Sequence, residues 1–220
     1  MKNLFLLCLS ICTILVVASF KNANKYFTGK ITYANTFVGV TDENLLKQIK
    51  ASIGEQQLYY VNAANYKSYY RENELMQLYN SATNTYYANP NRDNNIMVID
   101  ATKATENCTV TPGTTTETIL GYPCQSVVIK GAQTTTYYFS PAVKVKAAPY
   151  AKHAFGNWNK YMEASKGALP LKYVVDFGMF TMVTTATKIE EMDLDNAAFD
   201  IEKVVPGYKK AKDNALPAGK

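Results

Sequence analysis

Apolar and polar side chains alternate with a period of two along much of this 220-residue chain. Odd positions from Phe27 to Tyr33 are apolar or glycine, whereas even positions from Thr28 to Ala34 are mostly polar. Successive side chains of a β-strand point to opposite faces, so the pattern predicts a strand with one buried and one solvated face. Similar short segments recur between turn-forming residues, which predicts an antiparallel sheet.

Tyrosine is abundant in these segments, and the chain contains 17 tyrosines in all. Aromatic residues favour strands. Eight of the tyrosines lie in successive predicted strands: Tyr59, Tyr60, Tyr66, Tyr69, Tyr70, Tyr79, Tyr86 and Tyr87. Tyrosine rings either close a core or line a cavity with an amphipathic wall, and the sequence leaves both interpretations open.

Two segments have helical rather than strand spacing. Leu45, Ile49 and Ile53 recur at four-residue steps after Thr41, which is a suitable helix cap. A second helix is predicted from about residue 157 to residue 166. The fold class predicted from these elements is α+β: a curved, half-open antiparallel β-barrel or sheet, with the two helices covering its apolar face.

The first eighteen residues are predicted to be a signal peptide. An apolar run from Leu4 to Phe20 follows a short basic start, and Ala18 is a suitable small residue before a cleavage site. The run is shorter than the roughly 20 residues of a membrane-spanning helix, although a retained anchor is the alternative. We expect residues 19–220 to form a single domain with no transmembrane span, exported to the periplasm, associated with the outer membrane, or secreted.

Export also decides how the four cysteines are interpreted. Cys8 and Cys12 would leave with the signal peptide, so the mature chain would keep Cys108 and Cys124. An even pair of cysteines in an oxidising compartment predicts a disulfide, here between neighbouring strands. Two reactive thiols are the alternative interpretation.

Residue content excludes several kinds of chemistry. His153 is the only histidine, which excludes multi-histidine metal sites and disfavours a Ser-His-Asp triad. We expect it to be exposed or to pack against its neighbours. The chain contains no glycine-rich phosphate-binding motif. The sequence therefore predicts a protein that is not an enzyme, with no catalytic residues, no metal and no cofactor.

A nucleic-acid partner is not expected. The net charge is only +5, and Arg71 and Arg92 are the only arginines among the 23 basic residues. The lysines are scattered, with one short cluster near the end at Lys209, Lys210 and Lys212. Nucleic-acid-binding domains usually present a basic patch to the phosphate backbone.

Several short segments, kept in the same order, resemble a family of exported bacterial proteins of unknown function. That family is similar to the LolA/LolB-like lipoprotein-carrier superfamily, the periplasmic carrier and outer-membrane receptor of lipoprotein localisation. The matching segments are Phe27–Tyr33, Tyr66–Glu72, Met97–Asp100, Ile119–Cys124, Gly167–Lys172 and Phe199–Tyr208. The resemblance implies a half-open barrel with a helical lid and an apolar cavity, which carries or receives an acyl chain or lipid.

The predicted function is the binding or carriage of an apolar ligand, a lipid or acyl chain, in the cell envelope. The ligand or partner would be a lipid, an acylated protein or an envelope protein. The cavity-facing candidates on the first strand and second helix are Phe27, Ile31, Tyr33, Trp158 and Met162. The resemblance adds Arg71 as the candidate for an arginine inside the cavity. The alternative function is an envelope interaction or structural module whose sheet is fully packed.

Overall fold

The computed structural model describes residues 26–104 and 107–211. The predicted signal peptide and its cleavage site lie outside the described residues. The strands are β1 (Gly29–Val38), β2 (Gln56–Val61), β3 (Tyr66–Tyr69), β4 (Leu75–Asn80), β5 (Thr85–Ala88), β6 (Asn95–Asp100), β7 (Thr109–Pro112), β8 (Glu117–Ile119), β9 (Tyr122–Lys130), β10 (Thr134–Lys144), β11 (Ala168–Asp176), β12 (Thr181–Glu191) and β13 (Lys209–Lys210). The α-helices are α1 (Glu43–Ile53), α2 (Trp158–Ala164) and α3 (Ile201–Val204).

The strands form one mixed sheet in the order β13-β6-β5-β4-β3-β2-β1-β12-β11-β10-β9-β7, with β8 paired to β9. Neighbouring strands are antiparallel except β13, which runs parallel to β6. The two ends of this order do not pair, so the sheet is not closed into a barrel. The predicted α+β class is confirmed.

Both faces of the sheet bury apolar side chains, as adjacent residues on single strands show. Tyr79 belongs to a large core on what we call the inner face, whereas its neighbour Leu78 belongs to a smaller core on the outer face. Tyr86 and Tyr87 divide between the two cores in the same way. Adjacent residues of a strand therefore pack into different cores, as expected from the two-residue period that predicted the strands.

The helix α2 covers part of the inner face. Its Tyr161 and Met162 are buried in the inner core, and the Tyr161 hydroxyl donates to the Ala168 carbonyl at 2.8 Å. A 3₁₀-helix over Phe155–Asn157 leads directly into α2. The second predicted helix is thus confirmed, and it lies where the sequence analysis expected a cover.

The helix α1 forms as predicted but does not cover the apolar face. Asp42 is its N-cap, accepting a hydrogen bond from the Leu45 amide at 2.9 Å, and Gly54 ends it. Its buried residue, Ile49, belongs to neither of the two cores. The expectation that two helices cover the apolar face is therefore corrected to one helix, α2. Within residues 26–104 and 107–211, no helix is long and apolar enough to cross a membrane.

The structure corrects the predicted disulfide, since Cys108 and Cys124 are both free. Strand register explains why: Thr109, next to Cys108, pairs with Lys130, whereas Cys124 pairs with Glu117. Lys130 and Cys124 are separated along β9 by about 20 Å at the usual rise per residue. A disulfide requires Cα atoms within about 7 Å of each other.

Gly167 is needed where the chain passes from α2 into β11. Its φ is +82°, and a Cβ there would collide with the carbonyl oxygen of Val145. Gly121 has a similar φ of +81° but open space around it. We predict that Gly167→Ala lowers the free energy of unfolding by about 1–2 kcal/mol more than Gly121→Ala. Both alanines would be strained by the left-handed backbone, but only the one at position 167 would also collide with a neighbouring atom. Equal losses in denaturant unfolding would contradict the need for this close approach.

Candidate functional site

A cavity of about 200 Å³ opens on the inner face of the sheet. Its wall is mainly aromatic and carries no aspartate, glutamate, lysine or arginine. The lining residues are Tyr33, Gln57, Tyr59, Tyr66, Gln77, Tyr86, Tyr137, His153, Phe155, Gly156, Trp158, Pro170 and Tyr173.

Most of this wall consists of side chains that lie at alternate positions of the strands and point to the inner face. Gln57 and Tyr59 are two residues apart on β2, so both project to the inner face. Cross-strand pairing places Tyr66 of β3 opposite Tyr79 of β4, and Tyr79 opposite Tyr86 of β5. Opposed residues have side chains close enough for their rings to pack. The remaining side of the cavity is formed by the segment from residue 153 to residue 158.

Tyr66 is at the centre of the aromatic cluster. Its ring stacks on that of Tyr59 with centroids 5.4 Å apart, and lies parallel to the imidazole of His153 with centroids 5.8 Å apart. The rings of Trp158 and Tyr150 also lie within 6.3 Å of it. Tyr66 therefore connects the strand wall to the segment that closes the cavity.

Among the lining hydroxyls, three donate hydrogen bonds to oxygen atoms within the protein. Tyr33 donates to the Pro170 carbonyl at 2.6 Å, and Tyr86 donates to Oε1 of Gln77 at 2.6 Å. Tyr173 donates to Oε1 of Gln57 at 2.8 Å. These bonds hold the three rings in place. None of the three hydroxyls then has a hydrogen left to donate to a ligand.

Three other polar atoms of the wall are buried without a hydrogen-bond partner among the described residues. They are the Tyr59 hydroxyl, the indole Nε1 of Trp158 and Nδ1 of His153. The phenol and the indole N–H are donors at neutral pH, whereas Nδ1 is a donor or an acceptor depending on the tautomer. Buried polar groups are usually paired, so unpaired donors on a cavity wall indicate a place for a ligand acceptor.

Burial keeps the wall uncharged. It raises the pKa of the Tyr59 and Tyr66 phenols well above 10.0, and neighbouring tyrosine hydroxyls raise both further. Burial also lowers the pKa of the His153 imidazole from 6.5 to about 4. Near pH 7 the wall therefore presents neutral phenols and a neutral imidazole.

His153 is 1% exposed. Of the two predicted environments, it has the packed one and not the exposed one. Its Nε2 lies 2.8 Å from the hydroxyl of Tyr66, and its ring lies 4.1 Å from that of Tyr79. The sequence analysis did not place His153 in a site. Nothing in its neighbours along the chain signals the three strands, β3, β4 and β5, whose tyrosine rings lie against it.

The structure divides the five apolar candidates for the cavity. Tyr33 and Trp158 line it. Phe27, Ile31 and Met162 are buried in the inner core, and they are not among the lining residues. Residues on the expected face were thus identified, but only two of them reach the open space.

Arg71 lies outside the cavity, which corrects the expectation of an arginine inside it. Its side chain is 70% exposed, and its Nε lies 3.3 Å from a carboxylate oxygen of Glu74. It follows β3 in the turn toward β4, beyond the strand residues that face the cavity. Exposed ion pairs of this kind contribute little to stability.

The described residues contain no group of three or more histidine, cysteine, aspartate or glutamate side chains able to hold a metal ion. The cavity itself offers phenol, amide, indole and imidazole groups with aromatic surface between them. Such a wall suits a small uncharged molecule that is partly apolar.

Similarity to known proteins is found among solved structures. No protein-family model matches the chain, and no curated protein matches it. Among solved structures, the chain is similar to PNGF-II in a C2 crystal form, with TM-score 0.49 and 18% identity over 86% of this chain and 31% of that chain. For PNGF-II in a P21 crystal form the TM-score is 0.47 and the identity 17%, over 79% and 30%. The chain thus spans roughly a third of the length of PNGF-II.

The likeness to PNGF-II contradicts the prediction that the chain is not an enzyme. With both TM-scores below 0.5, the likeness transfers no activity or substrate to this chain. What the cavity binds must therefore follow from its own side chains.

Proposed function

We propose that this protein binds an apolar ligand, an acyl chain or another lipid moiety, in the aromatic cavity of the inner face. The observation that carries the proposal is an uncharged wall, mostly of ring surface, around a space of about 200 Å³. Ring surface excludes water and favours apolar groups, whereas an ion entering such a space loses its hydration without gaining a counter-charge.

The size of the cavity sets the size of the bound group. A cavity of about 150 Å³ lined by apolar residues is large enough to take benzene. At about 200 Å³, this one accommodates a single ring or the end of an acyl chain. The rest of a longer ligand would extend through the open side.

The proposal places this binding in the cell envelope. Support comes from the signal-peptide pattern of the first eighteen residues and from the resemblance to lipoprotein carriers. Native mass spectrometry of protein purified from the envelope without detergent, followed by organic extraction, would show a co-purified lipid at near one-to-one stoichiometry.

Titration with a hydrophobic fluorescent dye tests the cavity directly. We predict saturable one-to-one binding to the wild-type protein, and an affinity at least tenfold lower for Trp158→Glu, because a carboxylate in the wall repels apolar groups. Tyr208→Glu is the control: Tyr208 packs against the outer core and does not line the cavity.

Three results would contradict the proposal. Non-saturable dye binding to the wild-type protein would favour the packed interaction module instead. An equal loss of affinity in Trp158→Glu and Tyr208→Glu would show that the dye does not report on the cavity. A global loss of structure in Trp158→Glu, seen by circular dichroism, would identify Trp158 as a core residue rather than a wall residue.

A further inference from the structure

Two unpartnered donors in the wall specify the chemistry of the ligand more closely. The Tyr59 side chain is 6% exposed, and its hydroxyl has no partner among the described residues. The indole Nε1 of Trp158 is likewise buried and unpartnered. Both residues line the cavity, and both pack against the ring of Tyr66, at centroid distances of 5.4 and 5.9 Å.

None of the other groups of the wall accepts a hydrogen bond from either donor. Oε1 of Gln77 and Oε1 of Gln57 accept from Tyr86 and Tyr173. The carbonyl of Pro170 accepts from Tyr33. The two donors therefore lack an acceptor of their own, and burial in an uncharged wall makes each one costly to leave unpaired.

The absence of charge in the wall narrows the class of acceptor. An anion would have to shed its water with no lysine or arginine among the lining residues to pair with it. A cation would meet the positive ends of the two donors. A neutral carbonyl oxygen has two lone pairs and accepts two hydrogen bonds at once.

We propose that the cavity recognises a neutral carbonyl compound, in which one ketone, ester or amide oxygen accepts hydrogen bonds from the Tyr59 hydroxyl and Trp158 Nε1. The apolar part of the compound contacts the aromatic wall. This inference rests on the proposed function, since it names the polar group that an acyl or ring-sized ligand presents to the cavity. An acyl ester satisfies both requirements.

Acetophenone and ethylbenzene are suitable probes because they share a ring and a two-carbon substituent but differ by one carbonyl oxygen. Their dissociation constants are measured by ligand-observed NMR with the wild-type protein and each variant. We expect Tyr59→Phe to reduce the preference for acetophenone over ethylbenzene about fivefold, the usual value of one neutral hydrogen bond. Trp158→Phe is expected to shift the preference in the same direction.

Tyr150→Phe is the matched control. The Tyr150 hydroxyl is also buried and unpartnered, but Tyr150 does not line the cavity. Removing it should leave the preference between the two probes unchanged. The comparison thereby separates recognition of the probe from the general effect of deleting a buried unpaired hydroxyl.

Each other outcome overturns the inference in a distinguishable way. If both probes bind and Tyr59→Phe leaves their ratio unchanged, the cavity binds apolar groups but does not recognise a carbonyl. If neither probe binds, the proposed function fails together with the inference. If tetramethylammonium binds more tightly than acetophenone, the wall is a cation-binding aromatic cage.

Discussion

Replacing Tyr66 with alanine is expected to lower the free energy of unfolding by about 3–5 kcal/mol, in the range measured for large-to-small substitutions of buried aromatic residues. The side chain is 4% exposed and packs against the rings of Tyr59, His153 and Trp158. Its removal joins a new void to the existing cavity and separates the strand wall from the closing segment. Total stabilities of domains are about 5–15 kcal/mol, so the loss is a large fraction of the whole.

The conservative variant Tyr66→Phe separates packing from hydrogen bonding. It keeps the ring and removes the hydroxyl that lies 2.8 Å from Nε2 of His153. We expect a loss of about 1–2 kcal/mol by urea unfolding, since one buried hydrogen bond is lost and the imidazole nitrogen is left unpaired. If the alanine and phenylalanine variants were equally unstable, the central packing role of the ring would be refuted.

His153 is expected to make the protein less stable in mild acid. The pKa of its imidazole is 6.5 in the unfolded chain and about 4 in the folded protein, where burial disfavours the charged form. Its contribution is fully present above pH 6.5 and is lost as the pH falls toward 4, because the unfolded chain takes up the proton first. The linked loss at low pH is about 3 kcal/mol.

Urea unfolding between pH 7.5 and pH 4.5 measures this loss, with His153→Gln as the control. Carboxylates such as Glu190, whose pKa is lowered by hydrogen bonds from Lys188 and Lys30, also lose stabilisation in acid. Their contribution is common to both proteins, so the difference in pH dependence isolates the imidazole. His153 is the only histidine of the chain, which removes any other imidazole from the comparison. Parallel pH profiles would show that His153 is not held neutral by burial.

Local sequence signals predicted much of the secondary structure. The helix α1 was expected from its four-residue apolar spacing, and the identity of its cap differed, Asp42 in place of Thr41. Local signals failed where tertiary context overrides them. Proline has no amide hydrogen and disfavours a strand, yet the strand β10 runs through Pro141 to Lys144, where its pairing with β11 is irregular and can tolerate the missing hydrogen.

The cavity was harder to predict because its wall comes from distant parts of the chain. Tyr33 and Trp158 were identified by being apolar and on the expected face. Gln57 was not among the candidates, although it is two residues from Tyr59 and shares its face. Which rings reach open space, and which donors remain unpaired there, depends on packing between strands that no local pattern encodes.

The position of β1 at the middle of the sheet has a consequence for synthesis on the ribosome. Its neighbours are β2, which follows soon after, and β12, in which Glu191 pairs with Gly29. One edge of β1 therefore stays unpaired until synthesis has reached Glu191. An exposed strand edge is a template for association with other chains, and non-local pairing slows folding. That edge of the nascent protein therefore stays open to association until β12 pairs with it.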